Sequence, residues 1–266
     1  MVVSRIYIIY KFIKKNRNIY YMMSYEEFCG ECKRIFAMNP EISAPDEEQT
    51  AKLYRLTEIM LEVNEHMNLT AITDCSQIIL KHYVDSLSVA KYIPENAKII
   101  DIGCGAGFPS LPLAICRPDI RIVALDSTAK RINYVQNTAN ALGLTNLSAI
   151  AARAEDKAKD SLYRESFDVA VARAVADLPV LCELCLPFVK VGGHFASMKA
   201  ARGDEELDNA RRAIKTCGGG VAQIIHADLT GDGSNYEKRR LIIIEKVEKT
   251  PKNYPRNFAQ ISKKPL

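Results

Sequence analysis

Apolar residues along this chain follow two alternating rhythms. Short, nearly continuous apolar runs recur at Lys98–Ile102 (KIIDI), Arg121–Asp126 (RIVALD), Asn146–Ala151, Phe167–Ala172 (FDVAVA) and His194–Lys199. That is how strands covered on both faces read. Between them lie stretches of helical spacing, among them Lys130–Leu142, closed by Gly143, and Leu178–Val189, followed by an expected turn at Gly192–Gly193. Such alternation predicts an α/β fold with a parallel sheet and helices on both faces. A charged amphipathic helix, Gly203–Cys217, then precedes two further strands, Val221–Ala227 and Arg239–Val247. These predict a final hairpin, giving seven strands of which six run parallel and one antiparallel.

Ahead of the first strand the rhythm is purely helical. Phe28, Cys32, Ile35 and Phe36 share a face over Ser24–Met38, which Asn39–Pro40 ends. Leu53, Leu56, Ile59, Met60 and Val63 share another behind Asp46 as a cap. A third helix is expected from Ser76 to about Tyr92. Residues 23–96 are therefore expected to form an N-terminal helical appendage to a domain over 97–248, covering a ligand or shaping an entrance. Residues 1–22, basic and without a cleavage signal, read as a non-native or disordered leader, with the biological start at Met22 or Met23. Residues 249–266 read as a basic tail.

The chemistry begins where the first strand ends. DIGCGAG places Gly103, Gly105 and Gly107 where strand gives way to helix, and glycines there let a flat ligand press on the backbone. The spacing is not G-x-x-G, and Asp101 would repel a pyrophosphate while accepting from a cationic amino group. This favours S-adenosylmethionine over a nicotinamide dinucleotide. Asp126 ends the second strand about 20 residues on, the usual distance for a ribose-binding acid. A cap for the following helix is its other reading. Together the two strands and their acids read as the first half of a class I methyltransferase, a Rossmann-like fold. Arg173 and Lys199 end neighbouring strands and are expected to face the crevice beside the reacting group. His82 and Asp85 stand three apart on a helical face, as an acid/base pair or as a hydrogen bond fixing the helices to the sheet.

Composition narrows the setting. The 266 residues are 48% hydrophobic and 26% charged, with no apolar run long enough to span a bilayer. Eight scattered cysteines read as reduced thiols in a cytoplasmic protein, and the C-x-x-C pairs Cys29/Cys32 and Cys182/Cys185 lack further ligands, so no metal is assigned. The net charge of +4 is concentrated at the two ends, leaving a body that is not itself basic. Basic ends suit a phosphate backbone, engaged by a patch or within a larger particle.

From about Met23 onward the chain resembles the small-subunit ribosomal RNA guanine-N7 methyltransferases once called glucose-inhibited division protein B. The resemblance rests on Asn68-Leu69-Thr70, His82 with Asp85-Ser86, DIGCGAGFPSLPLA, LDSTAKR, RAED, ARAVADL, SMKA and YPR…KKPL; the tail departs from it over Asn257–Ser262. It implies cofactor contacts at Gly103, Phe108, Ala154, Glu155 and Arg173, and a guanine near the decoding region as acceptor, in naked RNA or in the small (30S) subunit. With Asp101, Gly105 and Asp126, these make up the expected cofactor site. Arg173, Lys199, His82 and Asp85 are the expected catalytic group. A monomer without a stable protein partner is expected. A methyltransferase for another RNA, a protein or a small molecule, and a noncatalytic RNA-binding protein, remain open alternatives.

Overall fold

Strand β3 (Lys98–Ile102) is buried over Ile99–Ile102, and this central position follows from its unbroken run of apolar residues about one acid. The computed structural model describes residues 12–15, 18–173, 176–201 and 203–266. Around β3 are ranged β4 (Arg121–Asp126), β5 (Leu147–Ala151), β6 (Phe167–Arg173), β7 (Val189–Lys199), β8 (Gly219–His226) and β11 (Arg240–Lys246). The sheet order is β5-β4-β3-β6-β7-β11-β8, with β11 antiparallel to both neighbours and the remaining pairings parallel. The expected count of six and one is what this order contains. A parallel sheet sends its strand ends to one edge. Because β11 runs the other way, it brings its beginning to that edge, Arg240 standing opposite Lys199.

One difference from the sequence reading lies in β7. Gly192–Gly193 does not end an element but sits inside the strand as a bulge, across which the register against β6 shifts between Phe167 and Val169. A Cβ on Gly193 would stand 2.3 Å from the Asp168 carbonyl oxygen, so only glycine allows the strands to close up again.

The N-terminal helices form a layer on the sheet. Helix α1 (Tyr25–Ala37) begins in a capping box between Ser24 and Glu27, and α2 (Glu47–Met67) in another between Asp46 and Gln49. Their buried faces, including Phe28, Leu53 and Met60, share one core with Ile99, Val169 and Val171 of the sheet. The expected third helix is broken into α3 (Cys75–Ile78), a π-helical turn (Ile79–Val84) and α4 (Asp85–Leu87). Ahead of α1, β1 (Phe12–Lys15) pairs antiparallel with β2 (Asn18–Tyr21), within the segment expected as a leader; its residues 1–11, 16 and 17 lie outside the described residues.

On the opposite face lie α8 (Leu178–Cys185) and α9 (Gly203–Thr216), against which the C-terminal tail docks. The Arg256 guanidinium forks onto the wholly buried Glu183 carboxylate of α8, at 2.6 and 2.9 Å. Removing the arginine strands a buried charge. Arg256→Ala is expected to lower unfolding stability by about 2–4 kcal/mol, read by urea denaturation, and a second change, Glu183→Gln, to recover part of that loss.

Candidate active site

The strand ends meet in a cleft of about 500 Å³, floored by the turn from Gly103 to Ala106 and bordered by Asp126, Glu155, Phe108 and Arg173. The turn needs its glycines. Gly105 takes φ +56°, and Gly107, at φ +85°, would put a Cβ 2.5 Å from the Leu111 side chain. Asp126 holds this turn in place. Its Oδ2 accepts the Gly105 N–H at 3.1 Å, while Oδ1 accepts the Thr128 N–H at 2.8 Å at the entry to α6 (Ala129–Ala141). The same carboxylate thus organises the helix entry, as its capping reading expected, and borders the cleft. Ala154 and Glu155 open α7 (Ala154–Lys157), with Glu155 accepting from Arg153 Nε at 2.6 Å.

Asp101 is placed differently from its expected role. It is fully buried beneath the turn and does not line the cleft. Its Oδ2 accepts from the Ser110 hydroxyl, its Oδ1 has no partner, and burial pushes its carboxyl up to about 6 despite that hydrogen bond. Cys104 lies in the turn itself, but burial drives its thiol far up, so it offers no thiolate nucleophile.

A second cavity of about 280 Å³ adjoins the first, and His82 and Arg173 belong to the walls of both. The His82 ring stacks on Phe108 at 4.5 Å between centroids, and the Arg173 guanidinium lies 5.2 Å from the centre of the same phenyl ring. His82 Nε2 meets the Thr70 hydroxyl at 3.0 Å, and its Nδ1 has no partner. Burial, then the Arg173 charge, pushes its pKa down to about 3, so the ring is neutral at pH 7.

The expected pairing of His82 with Asp85 does not form, for a physical reason. The π-turn between them has more residues per turn than the α-helix assumed from a three-residue spacing, and it sends the two side chains to different partners. Asp85 instead bridges two arginines, accepting from Arg173 Nη1 at 3.0 Å and Arg239 Nε at 2.9 Å. Arg173 Nη1 also donates to the Lys81 carbonyl oxygen. Its Nε and Nη2 groups have no acceptor among the described residues, and they remain available at the junction of the cavities. Lys199 is more committed. It donates to the Ala176 carbonyl oxygen and pairs with Glu206 at 2.7 Å, leaving one N–H for a ligand in the second cavity.

Arg239 and Arg240 also line the second cavity, and the sequence reading passed over them. The signal was present, because an antiparallel final strand must start at the edge where its neighbours end. Lys81, paired with Glu237 at 2.8 Å, lines the same cavity, as does Met198. Phe258, from the tail, lines the first. No rhythm or motif pointed to Phe258.

The donor set fits S-adenosylmethionine. A ligand carrying an ammonium and a sulfonium but no phosphate suits a cleft with Asp126 and Glu155 on its walls and the unpartnered Asp101 Oδ1 beneath its floor. This sheet order, with a glycine turn after its central strand and an acid ending the next, defines a class I methyltransferase. Comparison with known proteins identifies the kind. The family model described as "GidB: rRNA small subunit methyltransferase G" matches residues 49–232. Proteins named ribosomal RNA small subunit methyltransferase G are similar over most of their length. The one from Brevibacillus brevis is 43% identical, covering 87% of this chain and 96% of its own. Those from Staphylococcus carnosus and Acetivibrio thermocellus are 45% and 44% identical, each covering 83% of this chain and 92% and 90% of their own. The chain belongs to this family.

The two buried titrating groups tune stability in opposite senses. His82 titrates near 6.5 in the unfolded chain and near 3 in the fold, so the folded state binds fewer protons between those values and stability is lost as pH falls through that window. Asp101 moves from 3.8 up to about 6, so its contribution is lost as pH rises through that interval. Urea denaturation at a series of pH values should show His82→Gln losing part of the acid-side decline, and Asp101→Asn losing the decline between about pH 4 and 6.

Proposed function

We propose that this protein transfers the methyl group of S-adenosylmethionine to N7 of a guanine in small-subunit ribosomal RNA near the decoding region. The observation that carries the reading is the shared wall of the two cavities, where Arg173 keeps Nε and Nη2 available beside the neutral His82 ring. Family membership and the names of the relatives support the acceptor class.

When bound, S-adenosylmethionine supplies a methyl group made electrophilic by its sulfonium. Guanine N7 offers a lone pair and has no proton to lose, so alignment matters more than a strong base. His82 suits that task. With a pKa near 3 it is a weak base, and its stacking on Phe108 gives the junction a flat, rigid wall. Arg173 is positioned by Asp85 and the Lys81 carbonyl and can direct its remaining N–H groups to the guanine O6 or a flanking phosphate. Lys199 can give its last N–H to the same target. Arg239 is held by the other oxygen of Asp85, so one carboxylate orients both guanidinium groups. The second cavity is cationic in residue type, but its charges are paired internally: Lys81 with Glu237, Lys199 with Glu206, and Arg240 with Asp204 and Asp228. That arrangement favours a shaped site for one base over indiscriminate attraction of duplex RNA. No helix among the described residues is long and apolar enough to cross a membrane. The protein acts in the cytoplasm, as a monomer, on ribosomal RNA or on the small subunit.

The direct test is incubation with methyl-labelled S-adenosylmethionine and small subunits from cells lacking the activity, followed by digestion of the RNA. Label in 7-methylguanosine is the expected result. Label confined to another nucleoside, or absent, overturns the assignment. In the same assay Arg173→Ala is expected to reduce kcat/KM by about 10- to 100-fold, the value of one or two charge-assisted contacts.

A further inference from the structure

The methyl-transfer chemistry lies at the Arg173 end of the first cleft, and a different set of residues closes the other end. Along the sheet edge the order runs from Arg173 on β6, through the glycine turn after β3 and Asp126 on β4, to Arg153–Glu155 after β5. A ligand whose reactive methyl faces the shared wall must extend past Asp126 toward β5, which places its adenine beside Ala154 and Glu155. There the cleft is bordered by a residue from the far end of the chain, Phe258.

Phe258 is the first residue of α10 (Phe258–Lys263), and its position is fixed from both sides. Before it, Arg164 donates to the carbonyl oxygens of Thr250 and Tyr254, and Arg256 is forked onto buried Glu183. Immediately before it Asn257 caps the helix by accepting the Gln260 N–H, and after it Ile261 is fully buried. Phe258 itself is 39% exposed and contributes little to any core. The Arg153 guanidinium lies 5.0 Å from the centre of its ring, and the same Arg153 donates to Glu155 on the cleft wall. An aromatic ring held firmly in place, half in solvent and bordering a cleft is placed for a ligand.

We propose that Phe258 is a cofactor-binding residue, the lip on which the adenine of the cofactor rests, so that the C-terminal tail completes the cofactor site. The proposal rests on the reading of the cleft as an S-adenosylmethionine site. It assigns the tail a role other than that of a basic arm on RNA. Its anchoring arginine is spent on Glu183, and what the tail delivers to the cleft is an aromatic face. The ring acts directly by stacking and indirectly by holding Arg153, and through it Glu155, in position.

The test is calorimetric titration of the full chain with S-adenosylhomocysteine, which requires no RNA. Phe258→Ala is expected to weaken binding about 5- to 50-fold, in line with loss of one base–aromatic stack, with the melting temperature of the free protein unchanged. Phe258→Tyr should bind within about twofold of the original, since the stacking face is kept. Wild-type affinity in Phe258→Ala overturns the proposal. So does a Phe258→Ala variant whose only defect is a raised KM for RNA. Failure of the original protein to methylate ribosomal RNA while it still binds S-adenosylhomocysteine would count against the proposed acceptor and leave the role of Phe258 to be decided by the titration. A chain that binds no S-adenosylhomocysteine would overturn the cleft assignment and this proposal with it.

Discussion

A strand buried on both faces can carry polar chemistry only at its ends, and that constraint organises this molecule. Over the buried stretch of β3, Ile99–Ile102, the one charged side chain is Asp101, which is fully enclosed. Parallel pairing repeats the situation in β4, β5, β6 and β7, so their polar residues collect along one edge. There Asp126, Glu155, Arg173 and Lys199 come together although they are far apart in sequence. The hydrophobic effect thus selects the site as well as the fold: what cannot be buried between helix layers is displaced to the rim.

Side chains at that rim are fixed mainly by each other. Asp85 is the clearest case. A carboxylate this enclosed needs partners, and it has two guanidinium groups from the sheet, Arg173 at the end of β6 and Arg239 just ahead of β11. The helical layer that carries Asp85 is therefore joined to the sheet by charge as well as by the core it shares. Removal of Asp85 would leave two cations facing one another. Asp126 has a comparable place in the first cleft, where one side chain sets both the path of the glycine turn and the entry of α6.

How much of this was legible in the sequence depended on the range of the interaction concerned. The number of strands and the single antiparallel one followed from periodicity and the final hairpin, because a buried strand has a local signature. Arg173 and Lys199 were legible for the same reason, as charges ending apolar runs. The relation of His82 to Asp85 was not, since it turns on a π-turn that residue spacing does not encode and that tertiary packing selects. Arg239 and Arg240 were overlooked although the predicted direction of the final strand already carried them to the edge. The bulge at Gly192–Gly193 was misread because a glycine pair signals a turn equally well. Phe258 could not have been found, because its place depends on Glu183 lying wholly buried more than seventy residues upstream to receive Arg256.

The shared wall of His82 and Arg173, backed by Phe108 on the side of the first cleft, has a thermodynamic consequence. Two ligands that touch the same two side chains share a means of coupling, and whatever one does to the affinity of the other must be returned in equal measure. The Phe108–His82 stack borders the first cleft, and the His82 ring and the Arg173 guanidinium also face the second. Any such coupling between occupants of the two cavities runs through this wall rather than through either cavity alone. A fold that brings its polar residues to one edge so becomes a device in which each partner reports its presence to the other through a single layer of side chains.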